Sequence, residues 1–495
     1  MHRIDLLAAT LLASGLVALP LYLFARGQLF NAMHPTRRIL VRHWLHFLVV
    51  VLGIRFLMGV LFTATDIDTS DLWAVRYFYP IRIAYPNWGL LKGLPYLLCC
   101  ILVVMNLSRV HDFIVSCRWK YFLLWFFAAV FLLAFGGIHG GLVEGNIGVS
   151  SSTDHLADMQ LNSTIKEIFA THTDRIIGRI KPSYQAPHSL SHPAGSLAYW
   201  QVFAGHVSPF FFSVINVLLF SIAFPALYWA LRRRFDDALA LQTTLACMAA
   251  PALLIYGRSD DAVYYSLAAI VAALIVVAVR EGNYFLTLAA GMVFSIAMNY
   301  SYAAVVLAAA VFSFDAERPL SQVTKYIRSV LPHLLSVLAV ALLSTAAITL
   351  WLNYQWLDAF IASVQHNAPS TLRELFHRGA YGRVISDRIM TISDFLIFGG
   401  PLLLLLLRSL LVEPIGKITD RRIKDIALAA LFVVLLINSN GPGEVSRPWG
   451  SLFLLIGFYW LADLLKKEEE NTRWWIIKSQ FWWAITLQTV LNFGW

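Results

Sequence analysis

The chain has 495 residues, of which 59% are hydrophobic and 14% are charged, and its mean hydropathy of +0.67 excludes an ordinary soluble domain. The formal net charge is +9, but in a protein with many membrane-spanning segments such an excess indicates basic cytoplasmic loops rather than a nucleic-acid partner. The four cysteines lie in or beside hydrophobic segments, without the spacing of a disulfide framework or a metal site. The sequence therefore predicts an all-α polytopic membrane protein.

Apolar stretches of about 20 residues, the length of a transmembrane helix, recur along the whole chain. One of them, 283–313, fits either a single long helix or two short helices broken around MNYSY at 298–302. We expect about 13–14 transmembrane helices, near 5–25, 44–64, 91–107, 121–138, 208–231, 238–256, 261–279, 283–300, 302–313, 331–352, 395–412, 425–438, 448–465 and 474–492.

Lysine and arginine are concentrated in short loops, which the positive-inside rule assigns to the cytoplasm. These loops are 26–43, 109–120, 232–237, 314–330 and 413–424. The loop 314–330 joins them only if the chain crosses the membrane twice within 283–313, so we favour two crossings. The opposite face then holds the longer or more polar loops, 65–90, 139–207, 256–262, 353–393 and 439–450. Any chemistry is expected on that extracytoplasmic face.

The longest of these loops, 139–207, has apolar residues at helical spacing between Asp154 and Ile177. This pattern predicts one or two amphipathic helices along the membrane surface. Asp154 fits two interpretations, an acidic residue in the first turn of such a helix or a functional carboxylate at the lip of a cavity. Asp158 lies four residues further on and would share its face.

The same loop ends in a histidine pair, His188 and His192, followed by Pro193 and the small residues 194–196. Proline keeps the preceding residue out of the α-helical region, which argues against a two-histidine zinc site on one helix. The segment could serve simply to begin a helix. Alternatively, it forms a rigid elbow that leads into the span at 208–231, in which Gly195 allows a close backbone approach and the bend directs both histidines into a cavity.

Two further polar segments on the predicted outer face carry arginine beside a carboxylate. Glu444 and Arg447 lie three apart in NSNGPGEVSRPWG, and Arg258 precedes Asp260 in the tight turn YGRSDDA. Each pair could be purely structural. Arginine is nevertheless the preferred side chain for phosphate recognition, and a membrane boundary is where lipid phosphate lies.

These motifs together resemble the GT-C superfamily of glycosyltransferases, polytopic enzymes that use polyprenyl-phosphate-linked sugars. The resemblance is carried by the long loop with an early acidic residue, by SHPAGS at 191–196, which is similar to the His-Pro-Pro-Gly of many bacterial members, and by GEVSRPW at 443–449. It covers roughly 121–465. Ala194 stands where the second proline is usual, Pro448 follows the late arginine, and three helices precede the loop's leading helix, which leaves the subfamily and the sugar open.

The resemblance implies transfer of a hexose or pentose from the lipid-linked donor to a glycan, lipid or protein acceptor, with inversion. Asp154 would be the general base, Arg447 would hold the lipid phosphate, and Glu444 would orient Arg447. Donor-binding residues would also include His188, His192, Arg258, Asp260, Arg378 and Arg383, with Asp158, Asp68 and Tyr184 as secondary candidates. Some members need a divalent cation, Mg²⁺ or Mn²⁺, held by carboxylates; the sequence leaves open whether this chain does.

The implied architecture is a GT-C-like helical bundle in a bacterial plasma membrane, in contact with membrane lipids and with the active site outside the cytoplasm. Its regions would be N-terminal helices at 1–120, a core at 121–313 containing the catalytic loop 139–207, and a C-terminal part at 314–495 containing the outer loops 353–393 and 439–450.

Two other classes of membrane protein remain alternatives. A secondary transporter or flippase predicts ionisable residues in mid-membrane and discontinuous helices, whereas the predicted helices here are nearly free of charge. A membrane glycan ligase or polymerase also uses a lipid-linked substrate and a large outer loop, but is not expected to carry both motifs in this order.

Overall fold

The computed structural model describes residues 82–83, 88–147, 164–181, 183, 192–203, 206–302, 304, 320–367, 395–403, 405–406, 450–456 and 460–492. Most of this part of the chain is helical. The first nine helices are α1 (Trp88–Met105), α2 (Leu107–Ser116), α3 (Lys120–Gly137), α4 (Gly141–Ile147), α5 (Ile165–Ile176), α6 (Ala194–Phe203), α7 (Pro209–Ser221), α8 (Ala223–Leu231) and α9 (Asp237–Met248). The later helices are α10 (Pro251–Tyr256), α11 (Asp261–Glu281), α12 (Tyr284–Tyr300), α13 (Val323–Leu352), α14 (Trp356–Asn367), α15 (Gly450–Ile456), α16 (Ala462–Lys466) and α17 (Glu470–Val490).

A short strand pair and two smaller helical pieces complete the described structure. Strands β1 (Arg82–Ile83) and β2 (Leu491–Asn492) pair antiparallel, with Arg82 opposite Asn492 and Ile83 opposite Leu491. A 3₁₀ turn at Leu320–Gln322 precedes α13, and residues 395–403 are helical.

Within the described residues, four helical segments are long and apolar enough to cross a membrane, judged by length and composition. They are Lys120–Gly137, Pro209–Leu231, Asp261–Glu281 and Val323–Leu352, and they confirm that the segments predicted at 121–138, 208–231, 261–279 and 331–352 are helical. Helices α1 and α2 form a fifth candidate with a bend of 66° between them, and α12 is a shorter apolar helix. The full number of about 13–14 spans includes segments outside the described residues and stays a prediction.

The span predicted at 238–256 is not one helix. It divides into α9, which ends at Met248, and α10, which begins at Pro251. Proline has no backbone N–H and its ring clashes with the preceding turn, so it is favoured at the first position of a new helix and disfavoured inside a continuous one. The prediction was wrong because it considered only the apolar character of the segment.

Besides 139–207, three predicted loops contain helix in the part of the chain that the structure describes. Helix α2 lies within 109–120, the first turns of α13 lie within 314–330, and α14 lies within 353–393. Helix α2 shows the reason, because it buries Leu107, His111 and Ile114 on one face, while Ser108, Arg109 and Asp112 lie on other faces of the helix. A search for continuous apolar stretches finds membrane spans and overlooks amphipathic helices.

Helices α12 and α13 lie side by side and run in the same direction. Tyr284, at the start of α12, stacks on His333 with ring centroids 4.7 Å apart. Further along both helices, the hydroxyls of Ser295 and Thr345 are 3.0 Å apart. Both helices therefore start from the same end of the bundle, which is the arrangement that two crossings within 283–313 require.

Charged side chains mark that end of the bundle, which we call the basic end. Lys120 and Arg232 both bond to Asp237, and Arg233 pairs with Glu281 at 3.2 Å. These contacts bring the start of α3, the α8–α9 connection and the end of α11 together.

The opposite end holds residues 138–147, 192–194, 257–260 and 354, and we call it the elbow end. The described parts of the loops predicted to be cytoplasmic lie at the basic end, and those of the outer loops lie at the elbow end. Helix α11 connects the two ends through the centre of the protein, since 67% of its most apolar stretch is buried, compared with 17% for α13.

Candidate functional site

The turn between α10 and α11 holds a completely buried arginine. Arg258 donates from Nη1 to the carbonyl of Gly145 at 2.6 Å and from Nη2 to the carbonyl of Ile255 at 3.1 Å. Both carbonyls lie in the last turns of helices, where backbone acceptors are unsatisfied and the helix dipole is negative. Burial lowers the pKa of Arg258 to about 9, so the guanidinium is still charged at neutral pH. It therefore ties the end of α4 to the end of α10.

Asn146 and Gly136 complete the surroundings of this guanidinium. Asn146 is buried and donates to the carbonyls of Leu133 and Leu142 at 3.0 and 2.7 Å. A Cβ on Gly136 would lie 2.2 Å from Oδ1 of Asn146 and 2.4 Å from Nη1 of Arg258, so the position requires glycine. Nε of Arg258 and Oδ1 of Asn146 have no hydrogen-bond partner in the part of the chain that the structure describes. The guanidinium thus keeps hydrogen-bonding capacity that these contacts do not use.

Asp260, in the same turn, is bonded from two neighbouring helices. Trp200 of α6 donates from its indole Nε1 to Oδ2 of Asp260 at 2.9 Å. The hydroxyl of Tyr300, at the end of α12, donates to the backbone carbonyl of Asp260 at 2.8 Å. Asp260 is 2% exposed, so this carboxylate holds α6 against the turn from inside the protein.

Tyr199 and Asn216 extend the polar network toward α7. The hydroxyl of Tyr199 donates to Oδ1 of Asn216 at 2.6 Å, and Nδ2 of Asn216 donates to the carbonyl of Arg258 at 3.3 Å. Burial, assisted by the charge of Asp260, raises the pKa of Tyr199. The phenol therefore stays protonated and able to donate.

The segment SHPAGS forms a tight backbone elbow at the start of α6. The helix begins at Ala194, directly after Pro193, and the hydroxyl of Ser196 bonds back to the carbonyl of Pro193 at 2.9 Å. A Cβ on Gly195 would lie 2.2 Å from the carbonyl oxygen of Asn299, which confirms the close backbone approach predicted at this glycine. The elbow leads into α6, however, and not directly into the span at 208–231 as expected.

The chain that follows GEVSRPW enters the bundle beside α11. A Cβ on Gly450, the first residue of α15, would lie 2.4 Å from the ring of Tyr265. Tyr265 lies about one turn into α11, just after the Arg258–Asp260 turn. The end of the loop 439–450 therefore reaches the elbow end.

Three of the predicted site residues belong to the described structure: His192, Arg258 and Asp260. Helix α6 links them, because it begins beside His192 and bonds to Asp260 through Trp200. The other predicted site residues lie outside the described residues: Asp154, Asp158, Asp68, Tyr184, His188, Arg378, Arg383, Glu444 and Arg447.

Several residues of this network were not predicted from the sequence. Tyr199 and Trp200 read as part of an apolar helix, and Asn146 lies in a glycine-rich connection. The sequence did contain a signal for this network, namely polar side chains within apolar segments. Buried polar side chains are nearly always hydrogen-bonded, so such residues indicate an internal hydrogen-bond network.

Within the described part of the chain, no group of three or more histidine, cysteine, aspartate or glutamate side chains is placed to hold a metal ion. The divalent cation that some GT-C enzymes use stays an open expectation. Comparison with known proteins found no matching family model, no similar curated protein and no similar solved structure.

Proposed function

We propose that this protein is a membrane glycosyltransferase that transfers a sugar from a polyprenyl-phosphate donor to an acceptor on the extracytoplasmic face. One observation carries the proposal: the chain segments that flank the predicted motifs all lie at the elbow end. The loop with Asp154 leaves α4, whose end is bonded to Arg258. The loop with Arg447 ends at Gly450 beside α11, and His192 lies in the elbow itself.

In this proposal the loop residues perform the chemistry. Asp154 removes the proton from the acceptor hydroxyl, which then attacks the anomeric carbon as the lipid phosphate leaves, with inversion. Arg447, oriented by Glu444, stabilises the negative charge that grows on the departing phosphate. Arg378 and Arg383 assist Arg447 in binding the phosphate. Both belong to the 353–393 loop, whose first residues lie at the elbow end. His188 and His192 line the donor pocket.

Arg258 and Asp260 have a different role in this proposal. Their side chains are 0% and 2% exposed and bond to groups inside the protein, which favours positioning over direct contact with the lipid phosphate. Arg258 holds the end of α4, and Asp260 holds α6. Arg258 therefore fixes the position of the helix after which the Asp154 loop begins. Asp260 fixes the position of the helix that follows the His192 elbow.

The direct test uses the purified protein in liposomes with polyprenyl-phosphate-linked sugars and measures the release of polyprenyl phosphate. Asp154→Asn should lower turnover by at least about a hundredfold, the usual scale for loss of a general base, while donor binding is retained. Asp158→Asn is the matched control and should keep most activity. Unchanged turnover in Asp154→Asn, with loss in Asp158→Asn or Asp68→Asn, would assign the base elsewhere.

A transporter or flippase is the second candidate, and one observation favours it. Helices α9 and α10 are interrupted at residues 249–250 and lead to the buried charge of Arg258, and transporters place interrupted helices and buried ionisable groups at their binding sites. Liposomes loaded with the lipid-linked sugar distinguish the two functions. Movement of intact donor between leaflets without release of polyprenyl phosphate would support the transporter.

A further inference from the structure

Helix α5 is a docked helix with one buried face. It begins with a capping box, in which Thr164 accepts from the N–H of Glu167 at 3.2 Å and donates its own N–H to the Glu167 carboxylate at 3.0 Å. Its buried face presents Phe169 and His172 toward α6 and the start of α14, and the hydroxyl of Thr173 donates to the carbonyl of Gln355 at 3.2 Å. Helix α5 thus connects the loop 139–207 with the loop 353–393.

His172 reaches the elbow from this face. The side chain is completely buried, and Nε2 lies 3.0 Å from the carbonyl oxygen of His192. Burial lowers the pKa of His172 to about 3, although the hydrogen bond to the His192 carbonyl acts in the opposite direction. The ring is therefore neutral at neutral pH. Because a carbonyl only accepts, the proton of the neutral ring must be on Nε2.

Tyr354 reaches the same elbow from the other side. It is fully buried, and its hydroxyl oxygen accepts from the N–H of Ala194 at 3.4 Å. Its ring packs edge-on against Phe169 and His172, at centroid distances of 5.2 and 5.9 Å. The tyrosine follows Asn353, whose φ of 53° places it in the left-handed region and turns the chain at the end of α13.

The backbone on both sides of Pro193 is therefore held by side chains from other elements. Proline has no N–H of its own and restricts the residue before it, so the carbonyl of His192 and the N–H of Ala194 are the polar groups that set the angle of the elbow. One is held by His172 and the other by Tyr354, and these two rings touch. Nothing within the elbow itself provides either bond.

We propose that His172 and Tyr354 form a clamp that orients His192 toward the lipid-linked donor. Both are positioning residues, since neither needs to touch the donor. The restraint on the backbone at His192 follows from the contacts, whereas the use of His192 in donor binding rests on the proposed function. The clamp also joins the loop that carries Asp154 to the loop that carries the outer arginines, so that both loops share one fixed point.

The first experiment tests the clamp independently of activity. His192→Cys keeps the backbone carbonyl that His172 bonds, and the rate of thiol labelling at position 192, measured by peptide mass spectrometry, reports its exposure. Adding His172→Phe or Tyr354→Phe should raise this rate about fivefold, as expected for the loss of one hydrogen bond. Adding His172→Gln, which retains a donor, should restore it to near the parent value.

Lys166→Gln, on the exposed face of the same helix, is the matched control and should leave the rate unchanged. Tyr354→Phe removes a single hydroxyl, so it decides the outcome even where His172→Phe fails to fold. Equal labelling rates in the parent, the Tyr354→Phe variant and any folded His172 variant would overturn the clamp.

The second experiment uses transfer from the lipid-linked donor, with His192 intact. His172→Phe and Tyr354→Phe should each raise the KM for the donor and change kcat little, and the double variant should fall short of additivity because both residues hold one elbow. A fall in kcat at unchanged KM would overturn the link to donor binding. If the parent protein shows no transfer at all, the proposed function fails, and the labelling result alone decides the clamp.

Discussion

The two ends of the bundle both carry arginine, but they use it in opposite ways. At the basic end, Arg233 is 46% exposed and its partner Glu281 is 36% exposed, and the pair lies within reach of solvent. At the elbow end, Arg258 is completely buried and bonds to backbone carbonyls. Exposed ion pairs contribute about 0–1 kcal/mol, whereas a buried hydrogen-bonded charge is costly to disturb.

A count of basic residues therefore does not identify the arginine on which the structure depends most. The run Arg232–Arg234 is the most conspicuous basic feature of the sequence, yet its described contacts are with carboxylates and aromatic rings at the basic end. Arg258 is a single arginine in a short turn and holds two helix ends together. The surroundings of a charge, rather than its density along the chain, indicate what depends on it.

The largest change in stability is expected when Arg258 is replaced, and replacement of Arg233 is the comparison. Arg258→Met leaves the carbonyls of Gly145 and Ile255 buried without their donor, and the free energy of unfolding in detergent should fall by about 3 kcal/mol or more. Arg233→Met should change it by less than about 1 kcal/mol, because the pair with Glu281 is exposed and screened. Chemical unfolding followed by tryptophan fluorescence measures both, and equal losses would abolish the distinction between the two ends.

Acid should weaken the elbow end through His172. Its pKa is about 3 in the folded protein and about 6.5 when unfolded, so the folded state binds fewer protons between these values. The stabilisation is complete above about pH 6.5 and falls as the pH drops toward 3, by at most about 1.4 kcal/mol per pH unit. Unfolding between pH 7.5 and 5 should depend less on pH in His172→Gln than in the parent, and identical slopes would contradict a buried neutral His172.

The smallest changes in stability are expected from two variants that each remove one tyrosine hydroxyl. Tyr199→Phe removes the bond to Asn216 inside the elbow end and should cost about 1 kcal/mol. Tyr121→Phe removes a hydroxyl that accepts from Arg232 at 2.8 Å at the basic end, where water can replace it, and the cost should be only a few tenths of that. Differential scanning fluorimetry of the two variants resolves the order, and the reverse order would show that burial does not decide the value of these bonds.

Much of the fold could be predicted from the sequence because its dominant signal is local. Apolar stretches such as 121–138 and 261–279 correspond to α3 and α11 within a few residues, and basic loops correctly grouped Lys120 with 232–237. The break before Pro251 was also visible locally and was overlooked. The amphipathic α5 was expected because its apolar residues recur at helical spacing within the loop.

The candidate site could be predicted only in part, because its contacts join distant parts of the chain. His192 was singled out for its place beside Pro193, but its carbonyl is held by His172, and the next N–H is held by Tyr354, which is 160 residues away. No spacing pattern in the sequence predicts that His172 and Tyr354 hold the same segment. Asp260 was likewise noticed for its charge, while its partner Trp200 looked like an ordinary residue of an apolar helix.

The parallel packing of α12 on α13 has a consequence for how the protein is built in the cell. Helices α11 and α12 are antiparallel and joined by a tight connection, with Gly282 at a φ of 64° and Asn283 capping the N–H groups of Phe285 and Leu286, so they can enter the membrane together as a hairpin. Parallel neighbours have no such hairpin stage. The seam between Ser295 and Thr345 can close only after the intervening chain has been synthesised and inserted, which places the completion of the elbow end, including Tyr354 after α13, late in biogenesis.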